Sequence, residues 1–377
     1  MAPLELAATV RRGGLAALAC GCAVALAGCL GDDGADEPIR VKGDTATVYS
    51  SAPRHGASAA VAGAVMAGER RALADAGGRA GGLRIRLRAL PATDDEPDHP
   101  WDPDLVSENA DRAADDPSAI AYLGELDYGA TAVSLPITND AGLLQVSPGD
   151  GLTSLTRRPP GRPRAGPERY YPSDERTFMR MGPTDLEETD YLIERVRAAG
   201  ARRIAVVFGA DIYGRELVGQ IFARARRDGL EPVEAEEYRG QLDEIPDITE
   251  NLADARPDAV IHAAVAGHGT GRLLSEIDAR LPAVPLFATS GVLAGRTALV
   301  LPAGAARIEA VGPAMSPERA GYDAMRLVLD AVDEGQRDRR RVIAAARRLA
   351  PRIADPSLAL YRPGADGRFE RVGVVSR

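Results

Sequence analysis

Residues 203–236, RIAVVFGADIYGRELVGQIFARARRDGLEPVEAE, contain the unit that decides the fold of this chain. A short apolar run at 203–208 predicts a strand, and the amphipathic stretch 215–228 predicts a helix. Gly229 follows directly, as suits the end of a helix, and 232–236 predicts the next strand. A strand, a helix and a second strand in this order indicate parallel strands joined by a crossover helix.

The same alternation runs from Asp44 to a closing β-hairpin, and an irregular stretch at 148–174 divides it into two series. Alternation on this scale predicts parallel sheets covered by helices on both faces. We therefore predict an α/β protein with two doubly wound parallel-sheet lobes. The predicted strands are 45–50, 83–89, 119–124, 143–147, 203–208, 232–236, 259–262, 285–288, 308–311, 358–362 and 369–375, and the predicted helices are 57–76, 104–114, 130–139, 186–199, 215–228, 248–255, 271–280, 318–334 and 339–350.

The irregular stretch 148–174 is rich in proline and arginine. Five prolines lie between Pro148 and Pro167. A run of this kind suits a loop for an anionic partner, but it is more often a solvated surface insertion. We expect the solvated insertion and keep the anionic partner as the alternative. The arginines concerned are Arg157, Arg158, Arg162, Arg164 and Arg169.

The N-terminus carries the features of a secretory signal. A basic pair, Arg11 and Arg12, precedes an uncharged apolar run at 13–27. Leu26-Ala-Gly-Cys29 then resembles the bacterial lipobox, in which the cysteine is acylated and becomes the first residue. This predicts a signal peptide at 1–28 and a lipid on Cys29. A chance cysteine in an alanine-rich leader is the alternative.

Acylation of Cys29 would leave the mature chain without a free thiol. The other cysteines, Cys20 and Cys22, lie in the apolar core of the leader. The mature chain then has neither a disulfide nor a thiolate ligand or nucleophile. Residues 29–43 are acidic and poor in apolar side chains, which predicts a lipidated, solvated tether. We therefore expect an extracytoplasmic protein that Cys29 anchors to the cell membrane.

The composition is that of a globular protein, with 45 % hydrophobic residues and a net charge of −9. This acidic balance disfavours nucleic acid as a partner. Lys42 is the only lysine, which excludes Schiff-base and phosphate-loop chemistry. After the leader there is no stretch of about 18 uncharged apolar residues, so no second membrane span is predicted.

Four short motifs, in order along the chain, resemble those of one known family. They are Ala52-Pro-Arg-His-Gly56 after the first strand, TNDAGLLQVSP at 138–148, RTFMRMGPTD at 176–185, and Asp211-Ile-Tyr-Gly214 before a helix. Together with the closing hairpin they resemble the substrate-binding proteins of bacterial ABC importers, of the leucine/isoleucine/valine-binding type. The resemblance covers the chain from about Asp44 to Val375. It implies the type I periplasmic binding protein fold, in which a hinge joins two lobes.

The resemblance also implies how the lobes are composed and what they do. One lobe would combine residues 44–182 with 314–352, and the other 183–313 with 353–377. The lobes would capture a small polar, amino-acid-like ligand between them and deliver it to the permease subunits of an ABC importer. A degenerate binding-protein fold that acts as a ligand sensor or interaction module is the alternative.

The ligand-contacting residues are predicted from the resemblance and from the strand ends, because ligands of open α/β sheets bind beyond the carboxyl ends of the strands. Tyr213 is expected to offer a flat apolar face and a hydroxyl group. Asp150 is expected to replace an acidic residue that the family has near Ser290. Cleft residues of this kind should be solvated when the lobes are open. The full predicted set is His55, Tyr128, Gly149, Asp150, Gly151, Asp185, Tyr213 and Ser290.

Two loops depart from the family pattern. The family holds the backbone of an amino-acid ligand with a serine–threonine cluster, where this chain has GELDYGAT at 124–131. A threonine hydroxyl of the family is also missing from Ser147-Pro-Gly-Asp-Gly151. These departures motivate the alternative of a sensor or interaction module.

Other chemistry is less well supported by the sequence. His55, His262 and His268 fall near predicted cleft loops, but without the spacing of a metal or catalytic site. Gly267-His-Gly-Thr-Gly271 lacks the full dinucleotide spacing and suits a tight strand–helix turn. We therefore predict no enzymatic activity, no cofactor and no metal, and an extracellular α/β enzyme is the third alternative.

Overall fold

The computed structural model describes residues 39–56, 58–94, 100–126, 129–267, 269–294 and 307–375. The predicted signal peptide, Cys29, Tyr128 and His268 lie outside these ranges. Within them, none of the helices combines the length and the apolar character needed to span a bilayer.

The first lobe is built on a six-stranded sheet in the order β2-β3-β1-β4-β5-β6. The pair β2–β3 is antiparallel, and the other neighbouring strands are parallel. The elements are β1 (Thr45–Ala52), α1 (Ala59–Asp75), β2 (Arg79–Ala80), β3 (Leu83–Pro91), α2 (Pro103–Ala114), β4 (Ala119–Leu123), α3 (Thr131–Asp140), β5 (Leu144–Ser147) and β6 (Phe178–Arg180).

The second lobe is built on a seven-stranded sheet in the order β13-β12-β11-β10-β9-β7-β8. The last two strands form an antiparallel hairpin at its edge. The elements of this lobe are α4 (Asp185–Ala198), β7 (Arg203–Gly209), α5 (Ile212–Arg227), β8 (Glu231–Tyr238), α6 (Ile245–Ala255), β9 (Ala259–Ala263), α7 (Thr270–Arg280), β10 (Leu286–Ala288), α8 (Gly291–Ala294), β11 (Ile308–Pro313), β12 (Leu358–Pro363) and β13 (Phe369–Val375). Between β11 and β12 the chain forms two helices that belong to the first lobe, α9 (Pro317–Gly335) and α10 (Arg339–Ile353).

Both sheets carry helices on both faces. In β7, Ala205 and Val207 pack with α6 and α7, whereas Ile204 and Val206 pack with α4 and α5. Helices α9 and α10 return to the first lobe, where their apolar side chains share a core with β1, β4 and β5. The predicted α/β fold of two doubly wound lobes is confirmed. The residue boundaries predicted for the lobes stay a prediction.

Three chain segments cross between the lobes, from β6 to α4, from β11 to α9 and from α10 to β12. Capping residues fix where two of them end. Thr184 Oγ1 accepts the backbone N–H of Glu187, and the Glu187 carboxylate accepts that of Thr184, which forms a capping box. Ser316 accepts the N–H of Arg319, and Pro317 opens α9. Both helices therefore begin directly after a crossing.

The predicted elements differ from the observed ones mainly at their ends. Helix α5 begins at Ile212 instead of residue 215, because Asp211 Oδ1 accepts the backbone N–H of Gly214 at 2.7 Å and caps the helix. Strands β2 and β6 were not predicted. They have two and three residues, which is too short for a strand period to show.

The irregular stretch 148–174 forms two short 3₁₀ helices, Thr153–Leu155 and Pro167–Tyr170. The prediction of a solvated insertion is wrong for both ends of this stretch. Leu152, Leu155, Tyr170 and Tyr171 are buried and pack with Phe178 and neighbouring apolar residues. Apolar side chains flank the proline- and arginine-rich middle, and burial of those flanks holds the insertion on the protein. The five arginines of the middle are exposed.

Candidate ligand site between the lobes

A cavity of about 90 Å³ lies where the two lobes and the crossing segments meet. The first lobe lines it with α1 and with the loops that follow β4 and β5, at the carboxyl ends of their strands. The second lobe contributes the loop after β10 and strand β12. The lining residues are Ser58, Val61, Val65, Leu126, Pro148, Gly149, Gly182, Ser290, Leu293, Ala294, Pro313, Met315, Pro317, Ala320 and Tyr361.

The cavity is mostly apolar, and its clearest polar feature is Ser58. This residue is 2 % exposed, and its Oγ has no hydrogen-bond partner among the described residues. Ser58 precedes the 17-residue helix α1 without capping it through its side chain. First-turn N–H groups lack partners within a helix and attract anions. The Ser58 hydroxyl group and the N-terminal end of α1 together form a polar position that suits a ligand carboxylate.

Ser290 is the second hydroxyl residue on the cavity wall, and its backbone is tied to a buried acid. Its N–H donates to Oε1 of Glu188, the fourth residue of α4. No residue that the structure describes on the cavity wall is charged. A charged ligand group would therefore be recognised by hydrogen bonds and the helix end, not by an ion pair with the wall.

Beyond Gly149, four buried carboxyl groups gather where the lobes touch. Asp150 comes from the first lobe, and Asp185, Glu188 and Glu216 come from α4 and α5; all are at most 3 % exposed. The backbone N–H of Asp185 donates to Gly151 at 2.8 Å. Glu216 accepts the N–H of Ser154 at 3.0 Å. These contacts join the loop after β5 to the second lobe.

Burial raises the pKa of all four carboxyl groups. For Glu188 the pKa rises to about 7, although hydrogen bonds from Ser290 oppose the rise. The pKa of Asp185 rises well above its ordinary value because of burial and because Glu188, Glu216 and Asp150 carry like charge. The pKa values of Asp150 and Glu216 are also raised, chiefly by burial.

Arg180 is the cation that faces this cluster. Burial lowers its pKa, while Asp150 and Asp185 oppose the change. Its Nη2 donates to the carbonyl of Leu152 at 3.0 Å. Within the described part of the chain, Nη1 of Arg180 and Oδ2 of both Asp150 and Asp185 have no hydrogen-bond partner. The cluster thus combines several buried ionisable groups, and some of their polar atoms make no hydrogen bond within the described residues.

The structure brings together only part of the predicted site. Gly149 and Ser290 line the cavity, whereas Asp150, Gly151 and Asp185 belong to the neighbouring carboxyl cluster. Asp150 is 1 % exposed in this arrangement. The expectation that cleft residues are solvated concerns open lobes and stays a prediction. The roles of these residues in binding stay predictions.

Two further predicted residues lie elsewhere. Tyr213 is fully buried in the core between α5 and the sheet, and its hydroxyl bonds to Thr289 Oγ1 at 3.0 Å. The expected flat face is therefore unavailable in this conformation, because Tyr213 lies on the inward side of the first turn of α5. His55 is exposed and outside the cavity, and its backbone N–H donates to Thr93 at 3.1 Å.

The histidines do not form a cluster in the described residues. His262 is buried in β9, and burial lowers its pKa to about 4. Across the described ranges, no three histidine, cysteine or acidic side chains are arranged to hold a metal ion.

Several residues of the site escaped the sequence analysis. Ser58 follows the loop 52–56 by two positions, and its place before an amphipathic stretch was a usable signal. Glu188 and Glu216 gave no local signal, because their cluster forms only when α4 and α5 meet the loop after β5.

No protein-family model matches this sequence, and no curated protein matches it. Solved structures do. A solute-binding protein of an ABC transporter from R. palustris, in complex with benzoate, has a TM-score of 0.67 at 17 % identity, covering 88 % of this chain and 96 % of that chain. The leucine-binding protein LivK from Thermotoga maritima has a TM-score of 0.68 at 15 % identity, covering 88 % and 99 %. A substrate-binding protein of an ABC transporter from Desulfitobacterium hafniense, in complex with Leu, has a TM-score of 0.64 at 19 % sequence identity, covering 87 % of this chain and 100 % of that chain.

These similarities extend over nearly the whole length of each neighbour. At sequence identities below 20 %, they show a shared fold and nothing more. The two parallel-dominant sheets with their covering helices match the fold of these neighbours. The chain therefore has the type I periplasmic binding protein fold.

Proposed function

We propose that this chain is an extracytoplasmic, lipid-anchored solute-binding protein that takes a small ligand between its lobes and delivers it to an ABC importer without catalysis. The observation that carries the proposal is the cavity at the crossings, lined by both lobes at the carboxyl ends of their strands. Three structural neighbours are ABC-transporter binding proteins or a leucine-binding protein, which supports the same function.

The lining of the cavity supports a ligand with an apolar body and one carboxylate. Val61, Val65 and Leu293 offer apolar contacts, and the Oγ of Ser58, at the start of α1, has no hydrogen-bond partner among the described residues. The ligands of the neighbours, leucine and benzoate, both combine an apolar part with a carboxylate. An amino-acid-like ligand would in addition place its ammonium group towards Asp150, next to Gly149 on the wall.

Calorimetry and thermal unfolding with leucine, benzoate and 4-hydroxybenzoate would test this proposal. We expect at least one of them to raise the melting temperature with saturation, as binding to the native state requires. Ser58→Ala should weaken that binding by about 1.5–3 kcal/mol, the range for a hydrogen bond to a charged group. The melting temperature of the free protein should hardly change, because in the described part of the chain the hydroxyl group has no hydrogen-bond partner to lose.

Thr189→Val is the matched control. Its Oγ1 is also buried and without a partner among the described residues, but Thr189 does not line the cavity. Ligand affinity should be unchanged in this variant. If no carboxylate stabilises the protein, or if both variants bind equally well, the cavity is not the site.

A second function, a ligand sensor or interaction module on the same fold, is favoured by one observation. Where the family has hydroxyl groups for the ligand, Glu125 is buried and bonds to Ser51 at 2.7 Å and to the Tyr122 hydroxyl at 2.6 Å. These polar groups are thus engaged within the protein. Absence of binding in the ligand screen would support this second function.

The anchor is tested separately, because Cys29 lies outside the described residues. Acylation provides about 0.8 kcal/mol per buried methylene, and two or more chains hold a protein stably on a membrane. We expect Cys29→Ala to move the protein from the membrane fraction to the soluble fraction. Mass spectrometry of the wild-type N-terminus should find lipid on Cys29, and an unmodified N-terminus at another residue would contradict the proposal.

A further inference from the structure

We propose that residues 157–169, hereafter the arginine segment, bind phosphate-bearing anions. This site is separate from the ligand cavity and goes beyond the proposed transport function. The segment carries five arginines and one glutamate in a chain whose net charge is −9. A local positive charge of this density on an acidic protein is the electrostatic signature of an anion site.

The guanidinium groups of the segment are largely without counterions. Arg158 pairs with Glu168 at 3.1 Å. Among the residues that the structure describes, no carboxylate lies within 4.0 Å of the other four arginines. Like charges held together repel one another, and a bound anion removes that repulsion. The four arginines are Arg157, Arg162, Arg164 and Arg169.

The backbone of the segment is fixed on the protein. Gly161 packs so closely on Gly219 of α5 that no side chain would fit there. Arg162 Nη1 donates to the carbonyl of Arg215 at 3.2 Å. Arg158 Nη1 donates to the carbonyl of Pro163 at 3.1 Å and closes the turn. The backbone that carries the arginines is therefore held in place, which lowers the ordering cost of binding.

The downstream end of the segment is also held. The guanidinium group of Arg169 lies over the ring of Tyr170, 4.5 Å from its centroid, and Tyr170 itself is buried. Between this anchor and the turn the surface is concave, with a volume of about 370 Å³. Its walls are Gly161, Arg162, Pro163, Arg164, Ala165 and Arg169.

The chemistry of this hollow favours phosphate over carboxylate. Guanidinium groups donate paired hydrogen bonds in a plane that matches phosphate oxygens. A phosphate group presents its charged oxygens in a tetrahedral arrangement, three on a monoester or pyrophosphate terminus and two on a phospholipid diester, so that Arg162, Arg164 and Arg169 can approach it from different directions. The two oxygens of a carboxylate lie in one plane. The ligand class is thus a phosphate-bearing anion, either free in solution or as the headgroup of an anionic phospholipid.

The first arm of the test measures pyrophosphate binding by calorimetry at low salt, with the full mature chain carrying Cys29→Ala. We expect binding that weakens as sodium chloride is added. The double variant Arg162→Gln/Arg164→Gln should lose at least tenfold in affinity. The single variant Arg164→Gln removes an exposed side chain with no partner in the described structure, so it tests the same site without risk to the fold.

The control is Arg347→Gln on α10, an exposed arginine that changes the net charge equally. It should bind pyrophosphate as the parent does. Equal loss in the control and the segment variants would show only a general charge effect and would overturn the proposal.

The second arm measures sedimentation of the same proteins with phosphatidylcholine vesicles, with and without phosphatidylglycerol. Binding that needs both phosphatidylglycerol and Arg164 identifies the lipid headgroup as the source of phosphate. Pyrophosphate binding without vesicle binding identifies a soluble anion. Binding in neither arm overturns the proposal and leaves the transport function untouched, because the ligand screen does not involve these arginines.

Discussion

Glu188 carries an acid group whose folded environment favours the protonated form. Burial raises its pKa to about 7 from an ordinary value of 4.5. Between these two values the folded chain holds a proton that the unfolded chain has released. The free energy of unfolding must therefore fall as the pH rises through this window. Glu69, buried in α1 beside Ser50, acts in the same direction with a pKa of about 7, whereas His262 acts in the opposite direction between about 4 and 6.5.

Glu188→Gln isolates the contribution of this one group. The amide keeps an oxygen that can accept the N–H of Ser290 and carries no charge at any pH. We expect the unfolding free energy of the variant to rise relative to that of wild type by about 2.5 kcal/mol between pH 5 and pH 8, as 1.36 kcal/mol per unit of pKa over the window from 4.5 to about 7 requires. Urea unfolding at both pH values measures the difference.

Glu194→Gln, on the same helix but exposed, is the control and should leave the pH dependence unchanged. An unaltered difference between pH 5 and pH 8 in Glu188→Gln would show that this carboxyl group is not protonated in the folded chain.

At single residues, the strand ends and the family resemblance together predicted two residues that the structure places on the cavity wall. Gly149 and Ser290 each lie two positions beyond the end of a strand and line the cavity, and their role in binding stays a prediction. Tyr213 was misplaced, since a tyrosine one position into a helix can turn towards the cleft or the core, and only the packing of α5 decides which. The roles of Glu188 and Glu216 in the carboxyl cluster can be recognised only from the contact between the lobes.

Hydrophobic periodicity predicted well which helices and strands exist and in what order. It predicted poorly which elements pack against one another. Helix α9 was predicted almost to its ends, yet its packing against α1, more than 240 residues earlier, has no local signal. The contact depends on Gly68 and Gly321. A Cβ atom at either position would overlap the backbone of the facing helix. Such close approach is possible only for glycine, and neither residue stands out in a sequence with 40 glycines.

The insertion at 148–174 shows the limit of composition as evidence. Its prolines and arginines suggested solvent throughout, but composition averages over the apolar residues at its two ends. Leu152 and Tyr171 bury their side chains against the first lobe, and Ser154 bonds to α5 of the second. An element that begins and ends in buried residues is a structural bridge, even where its middle is exposed.

On the scale of the whole molecule, contact between the lobes is linked to protons. Asp150 from the first lobe and Asp185 and Glu216 from the second are buried together, and burial raises the pKa of each. Separating the lobes would return these groups to water and lower their pKa values. If the lobes hinge apart, we therefore expect the arrangement seen here to bind more protons than an open one, so that a rise in pH would favour opening.

We accordingly expect the ligand-free protein to have a larger radius of gyration at pH 8 than at pH 5 by small-angle scattering. A ligand that binds between the lobes should restore the smaller radius at pH 8, because it favours the closed arrangement by its differential affinity. Asp185→Asn removes a charge from the cluster and should make the free protein more compact at pH 8. Asp366→Asn, in the exposed turn before β13, is the control and should behave as wild type. Superimposable curves at both pH values and at ligand saturation would contradict a hinge, since neither protons nor ligand would then change the separation of the lobes.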